Sequence, residues 1–189
     1  MKNALFSLLV LVYVLPCFAG SFTDSRDGQT YKAVEIGEQT WMAQNLNYRT
    51  GDSWCYDDNA DNCQKYGRLY DWKTAMNACP AGWHLPSRID FEKLQSAVGG
   101  QGVAGKKLKS RNGWYKEGNG SDSFGFFALP AGDRYDGLFV NVSRNAFFWS
   151  STEFDGNRAF RLSLDNLSEF SFLLGGKKNY VFSVRCLKD

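Results

Sequence analysis

The sequence predicts a single α+β domain, with two helices packed on short antiparallel β-strands and two disulfides. Three observations carry that expectation. Helical periodicity is confined to the first half of the chain, short aromatic segments with strand-like alternation fill the second half, and four cysteines follow the first nineteen residues. A run of helices followed by a run of strands is the pattern of an α+β fold.

The length of 189 residues suits one domain, and 43% hydrophobic with 16% aromatic content is enough to build a core. Mean hydropathy is −0.40, so the remainder is well solvated. The 22 basic and 20 acidic residues leave a net charge of +2 with no basic block, which excludes nucleic acid as an expected partner.

Positions 1–19 read as a secretory signal peptide. Lys2 supplies a charged start, "LFSLLVLVYVL" (Leu5–Leu15) is an apolar run, and Cys17 and Ala19 are small residues placed for cleavage after Ala19. A lipoprotein reading would make Cys17 the lipidated residue, but Pro16 immediately before it fits that poorly. The run is too short to span a bilayer comfortably and no second one follows, so no transmembrane segment is expected. Residues 20–189 are expected to form the single mature domain, secreted to the cell surface or the extracellular space.

Export makes the cysteines interpretable. Cys55, Cys63, Cys79 and Cys186 allow three pairings in an oxidising compartment. Local geometry favours Cys55–Cys63 across the polar loop "YDDNADN", which leaves Cys79–Cys186.

Along the chain, Tyr31, Val34 and Ile36, a turn at Gly37-Glu38, then Trp41 and Met42 read as an N-terminal hairpin. Thr50 to Gln64 reads as a loop around the small disulfide. In Lys65–Cys79 the residues Leu69, Trp72, Met76 and Cys79 share one helical face, with Pro80 as the stop. Pro86–Gly100 is the second helix: Ser87 and Asp90 form a capping-box pattern, Phe91, Leu94 and Val98 form the buried stripe, and Gly99-Gly100 ends it. Strands are expected at Phe124–Gly132, Leu138–Val142, Ala146–Thr152, Arg158–Leu164 and Glu169–Leu174, with "GGKKN" (Gly175–Asn179) as a hairpin turn. In the last strand Tyr180, Phe182, Val184 and Cys186 share a face.

Four kinds of chemistry could sit on these residues. A Cys79/His84 nucleophile pair would need a free thiolate, and disulfide formation leaves none. A Ser–His–Asp triad on Ser150 or Ser151 lacks the G-x-S-x-G elbow, and His84, between Trp83 and Leu85, reads as a packed core histidine. One histidine and bridged cysteines argue against a zinc site. Asp57, Asp58 and Asp61, and separately Asp133 and Asp136, resemble calcium-loop chemistry in composition but not in spacing, so calcium is a minor alternative to the expectation of no metal or cofactor. The sequons at Asn119, Asn141 and Asn166 are of low specificity.

The fourth is a ligand surface between Gly132 and Asn166. The candidate binding residues are Arg134, Tyr135, Phe139, Arg144 and Trp149, followed by Asp155, Asn157, Arg158 and Arg161. Aromatic rings and Arg are the residue types most used at hot spots, and rings flanked by Asn, Asp and Arg also suit sugars. In the competing reading many of these rings simply fill the core; "AFFWSST", with Phe147, Phe148 and Trp149 in succession, is its best example.

Taken in order, "DSRDGQTYKAVEIGEQTWMAQNLNY", "WCYDDNADNCQKYGRLYDW", "CPAGWHLPS", "AGKKLKS", "FGFFALPAGDR", "FWSSTE" and "FSVRCLKD" closely resemble the Fibrobacter succinogenes major paralogous domain family, from about Thr23 to Asp189. The resemblance implies a branch of the C-type lectin-like fold, in which a cysteine ending a helix pairs with one in the last strand; those positions match Cys79 and Cys186. It also implies an exported protein, often of bacterial surfaces, without an established enzymatic activity. Sugar-binding C-type lectins use Glu-Pro-Asn or Gln-Pro-Asp and Trp-Asn-Asp triplets around calcium, and this chain has neither; "WSST" at Trp149 is the nearest. Formylglycine-generating enzymes share a related fold but need a reactive cysteine pair. The expected function is therefore a non-catalytic binding module for a polysaccharide or protein. The alternatives are a structural envelope or matrix component without a discrete ligand, or a formylglycine-type enzyme relative.

Overall fold

A computed structural model describes residues 20–189. The signal-peptide reading of positions 1–19 and the lipidation alternative at Cys17 lie outside the described residues. The chain opens with β1 (Gly20–Thr23), β2 (Thr30–Ile36) and β3 (Gln39–Met42). β2 and β3 are the expected hairpin, with Val34 opposite Trp41 and Gly37 at φ 62° in the turn. Gly37 also makes room for a neighbour, since a Cβ there would lie 3.0 Å from the Ala97 Cβ.

The expected helix over Lys65–Cys79 is not continuous. The segment after β4 (Ser53–Trp54) forms a 3₁₀ turn at Tyr56–Asp58, then α1 (Ala60–Tyr66), β5 (Leu69–Asp71) and the single turn α2 (Trp72–Ala75). Gly67 breaks it. Gly67 sits at φ 74° where a Cβ would be 2.7 Å from that of Asn45, so the chain leaves the helix and packs on the Asn45–Leu46 backbone. Residues 69–71 then find strand partners, and Asp71 caps α2 by accepting the Thr74 N–H at 2.8 Å. Met76, expected inside, is 40% exposed.

After β6 (Trp83–His84), the second helix forms as expected in α3 (Arg88–Ala97), with Ser87 and Asp90 closing a reciprocal capping box. A further helix, α4 (Gln101–Leu108), follows the glycine pair. Phe124–Gly132, expected as a strand, is irregular: it makes only isolated bridges, Ala128 to Lys109 and Gly132 to Ala146, and Phe127 has φ 53°. Its carbonyls are used otherwise, because Phe126 and Phe127 accept from the buried Arg185 guanidinium.

The strands that follow are β7 (Asp133–Tyr135), β8 (Leu138–Val140), β9 (Asn145–Asp155), β10 (Arg158–Asp165), β11 (Phe172–Lys177), β12 (Val181–Ser183) and β13 (Leu187–Lys188). Gly175 to Lys177, expected as a turn, continue β11, and the turn falls at residues 178–179. Among the described residues the strands form two sheets. One is five-stranded in the order β1-β2-β3-β13-β6; the other is eight-stranded, β11-β10-β9-β12-β5-β4, with the β7–β8 hairpin attached through β12. The pairings are antiparallel except β12 with β9. The last strand thus inserts between β3 and β6, joining the two ends of the described chain.

The result is a mixed, sheet-dominated α+β fold. One face of β9 and β10 meets α3, α4 and the N-terminal hairpin through Phe148, Leu162, Leu164, Phe91, Leu94 and Trp41. The other face buries Phe147, Trp149 and Phe182 with Tyr31, Tyr70, Val184 and Cys186. Both faces of β9 are covered, which is why three aromatics in succession are buried there. The cysteines pair as expected, Cys55–Cys63 and Cys79–Cys186.

Candidate functional site

The late-segment residues divide by environment. Trp149, expected from the sequence to bind ligand, is a core residue and not a surface one: it is fully buried, its Nε1 donates to the Tyr70 carbonyl at 2.8 Å, and its ring packs 4.4 Å from that of Phe182. Phe147 is buried on the same face. Arg144 lies apart, exposed, its guanidinium 4.3 Å over the Tyr115 ring. Arg134 and Phe139 face each other on the β7–β8 hairpin, where Arg134 covers Trp54 at 4.8 Å and Phe139 meets Tyr56.

The remaining candidates gather along one edge of the eight-stranded sheet. Two turns lie side by side there. Asp155 to Arg158 joins β9 to β10, and Lys178-Asn179 follows β11. Arg158 is registered opposite Lys177, and the Lys178 N–H donates to the Asn157 carbonyl at 3.0 Å. Residues of both turns line an open cleft of about 830 Å³. Asp155 shapes the first turn by accepting the backbone N–H groups of Asn157 and Arg158, and its ion pair with Arg158 (2.6 Å) pulls its pKa below the usual carboxylate value. Lys178 pairs with Glu153 at 2.9 Å.

Beyond Lys177 the edge becomes aromatic. Tyr180 stacks on Tyr135 with centroids 5.3 Å apart, and Lys177 lies 6.0 Å from the Tyr180 ring. Behind them Arg161 lies over Phe147 at 4.3 Å and donates to Ser163 Oγ at 2.6 Å. Gly176 makes this possible: a Cβ there would stand 2.8 Å from Phe182 and 2.9 Å from the Arg161 Cδ. Burial lowers the Arg161 pKa, opposed by the nearby Asp133. Burial raises the pKa of Asp133, opposed by the Asn141 amide that donates to it at 2.7 Å.

The structure therefore unites Tyr135, Asp155, Asn157, Arg158 and Arg161 along one edge and adds Lys177, Lys178, Asn179 and Tyr180. Reading "GGKKN" only as a turn, and Tyr180 only as a strand residue, hid the added four. The signal was present: two glycines, two lysines and a tyrosine, the glycines serving to let neighbouring side chains through.

The reactive alternatives do not assemble. All four described cysteines are bridged. His84 is not the packed core residue expected. Its side chain is 43% exposed, with Nδ1 2.6 Å from Asp189 and Nε2 3.8 Å from Asp90. It turns outward because β6 is the edge strand beside β13. Ser150 Oγ accepts the Thr152 N–H. No hydrogen bond joins His84 to Ser150 or Ser151 among the described residues. Asp57 and Asp58 occupy left-handed turns at φ 55° and 54° within the small disulfide loop. Among the described residues no grouping of three or more His, Cys, Asp or Glu is placed to hold a metal ion, and no helix is long and apolar enough to cross a membrane.

A disulfide-stapled, sheet-dominated domain with an open basic and aromatic edge is the class that fold and site define. The sequence model of the Fibrobacter succinogenes major domain matches residues 34–188. The chain belongs to that family. No curated protein and no solved structure matches it.

Proposed function

We propose that the chain is an exported, non-catalytic binding module of C-type lectin-like fold that recognises a polysaccharide or protein at the cell surface. The supporting observation is the open cleft at the paired turns, lined by Arg158, Lys177 and Lys178, with Lys177 6.0 Å from the Tyr180 ring that stacks on Tyr135. Tyrosine rings offer flat apolar faces and polar tips at low entropic cost, and cationic forks beside them give orientation. The C-type lectin-like assignment draws support from the Cys79–Cys186 bridge, which ties the segment after α2 to the end of the chain.

The reading calls for no cofactor and no nucleophile. A formylglycine-type activity requires a free thiol, which is absent among the described residues. The test is a glycan array with a pull-down from envelope fractions, comparing the wild type with Arg158→Ala/Lys177→Ala. Loss of specific signals in the variant is expected; identical profiles for both proteins would remove the site.

A further inference from the structure

Resting on the reading of this edge as a binding site, we infer that its ligand is an anionic polysaccharide bearing carboxylate or sulfate groups. The carboxylate acceptors around the cleft are already engaged. Asp155 takes two backbone N–H groups and the Arg158 guanidinium, and Glu153 takes Lys178. Asp133, behind them, holds the Asn141 amide.

The donors are not. Lys177 is exposed and has no carboxylate partner among the described residues. The Asn157 and Asn179 side-chain amides make no hydrogen bond there either. Arg161 uses Nη1 on Ser163, while its Nε is buried without a partner and no carboxylate reaches ion-pair distance. In the β10–β11 pairing Lys177 lies opposite Arg158 and Arg161 lies opposite Leu174, so the two cations stand three register positions apart on one strand pair.

A neutral sugar brings hydroxyls that donate as often as they accept. A carboxylate or sulfate brings acceptors only, and charge-assisted hydrogen bonds to Lys and Arg are the strong ones. The stacked Tyr135 and Tyr180 rings and the two free amides suit sugar faces and hydroxyls, which favours a polysaccharide over an acidic peptide.

The test measures binding of the chain to polygalacturonate, its methyl ester, dextran sulfate, dextran and polyglutamate. Binding to the free-acid or sulfated polymer, weakened by added salt, is expected, and the two arms separate carboxylate from sulfate. Lys177→Glu should weaken it about tenfold or more. Lys93→Glu, the same charge change at an exposed position of α3, should leave it unaltered. Both positions are exposed, and an unchanged melting temperature confirms folding. Equal binding of the acid and its methyl ester, or equal binding to dextran, overturns the anionic ligand but leaves the binding-site reading standing. Tighter binding to polyglutamate, or equal weakening by Lys93→Glu, also overturns it. Binding to none of these polymers, together with a blank neutral glycan array and pull-down, overturns both.

Discussion

Replacing Cys79 and Cys186 together with alanine should destabilise the domain far more than replacing Cys55 and Cys63. The first bridge spans a sequence separation of 107 residues and the second only 8. In the chain-entropy relation these loops correspond to about 4.8 and about 2.5 kcal/mol at room temperature. The long bridge also reaches the core, since Cys186 is fully buried among Leu85, Val184 and Phe182, whereas Cys55 and Cys63 close a solvated loop. A domain holds only about 5–15 kcal/mol in total, so the first loss takes up a large share of it. Urea titration followed by tryptophan fluorescence reads both variants against the wild type. Equal midpoints for the two double variants, or the reverse order, would refute the assignment of the long bridge as the main staple.

Trp149→Ala should cost about 3–5 kcal/mol of stability, the usual range for an emptied aromatic core site, while the folded fraction keeps its binding; a stable variant with lost binding would return Trp149 to the surface. Gly176→Ala should displace Arg161 or Phe182, with a cost of about 1–3 kcal/mol and weaker ligand binding, read by calorimetric melting and a binding titration. Arg185→Met should destabilise by at least about 2 kcal/mol. It strands Asn45 Oδ1 and the Met42 and Phe126 carbonyls, which now accept from a guanidinium whose pKa burial lowers to about 9, still charged at neutrality. Asp24 has its pKa held down by the Arg26 fork, so its contribution is complete above the ordinary value of 3.8 and is lost as pH falls through the lowered one. The stability gap between wild type and Asp24→Asn should therefore close in acid, and a gap that persists would exclude the ion pair as its source.

What the sequence made legible was what depends on neighbours along the chain. The Ser87–Asp90 capping box, the Phe91, Leu94 and Val98 stripe, the hairpin around Gly37 and the shared face of Phe182, Val184 and Cys186 all follow from local period and local chemistry. Tertiary partners decided the rest. Leu69 to Asp71 carry a helical spacing but become a strand because β12 needs a partner and Gly67 turns the chain toward Asn45. Phe124–Gly132 is short and aromatic like a strand but gives carbonyls to Arg185, a contact between residues 58 and 59 positions apart. The site was half legible for the same reason. Arg158 and Tyr135 were visible as residue types, but their meeting with Lys177 and Tyr180 depends on sheet order, which periodicity does not encode. Trp149 has the composition of a site residue, and only the covering of both faces of β9 makes it core.

The most direct measurement of the site is a saturation isotherm of the chain on purified envelope polysaccharide, run beside Arg158→Ala/Lys177→Ala at matched melting temperature. Saturable wild-type binding that the paired substitution abolishes is the expected result. Superimposable isotherms would contradict the site, and wild-type retention that never saturates would mark a structural component of the envelope instead.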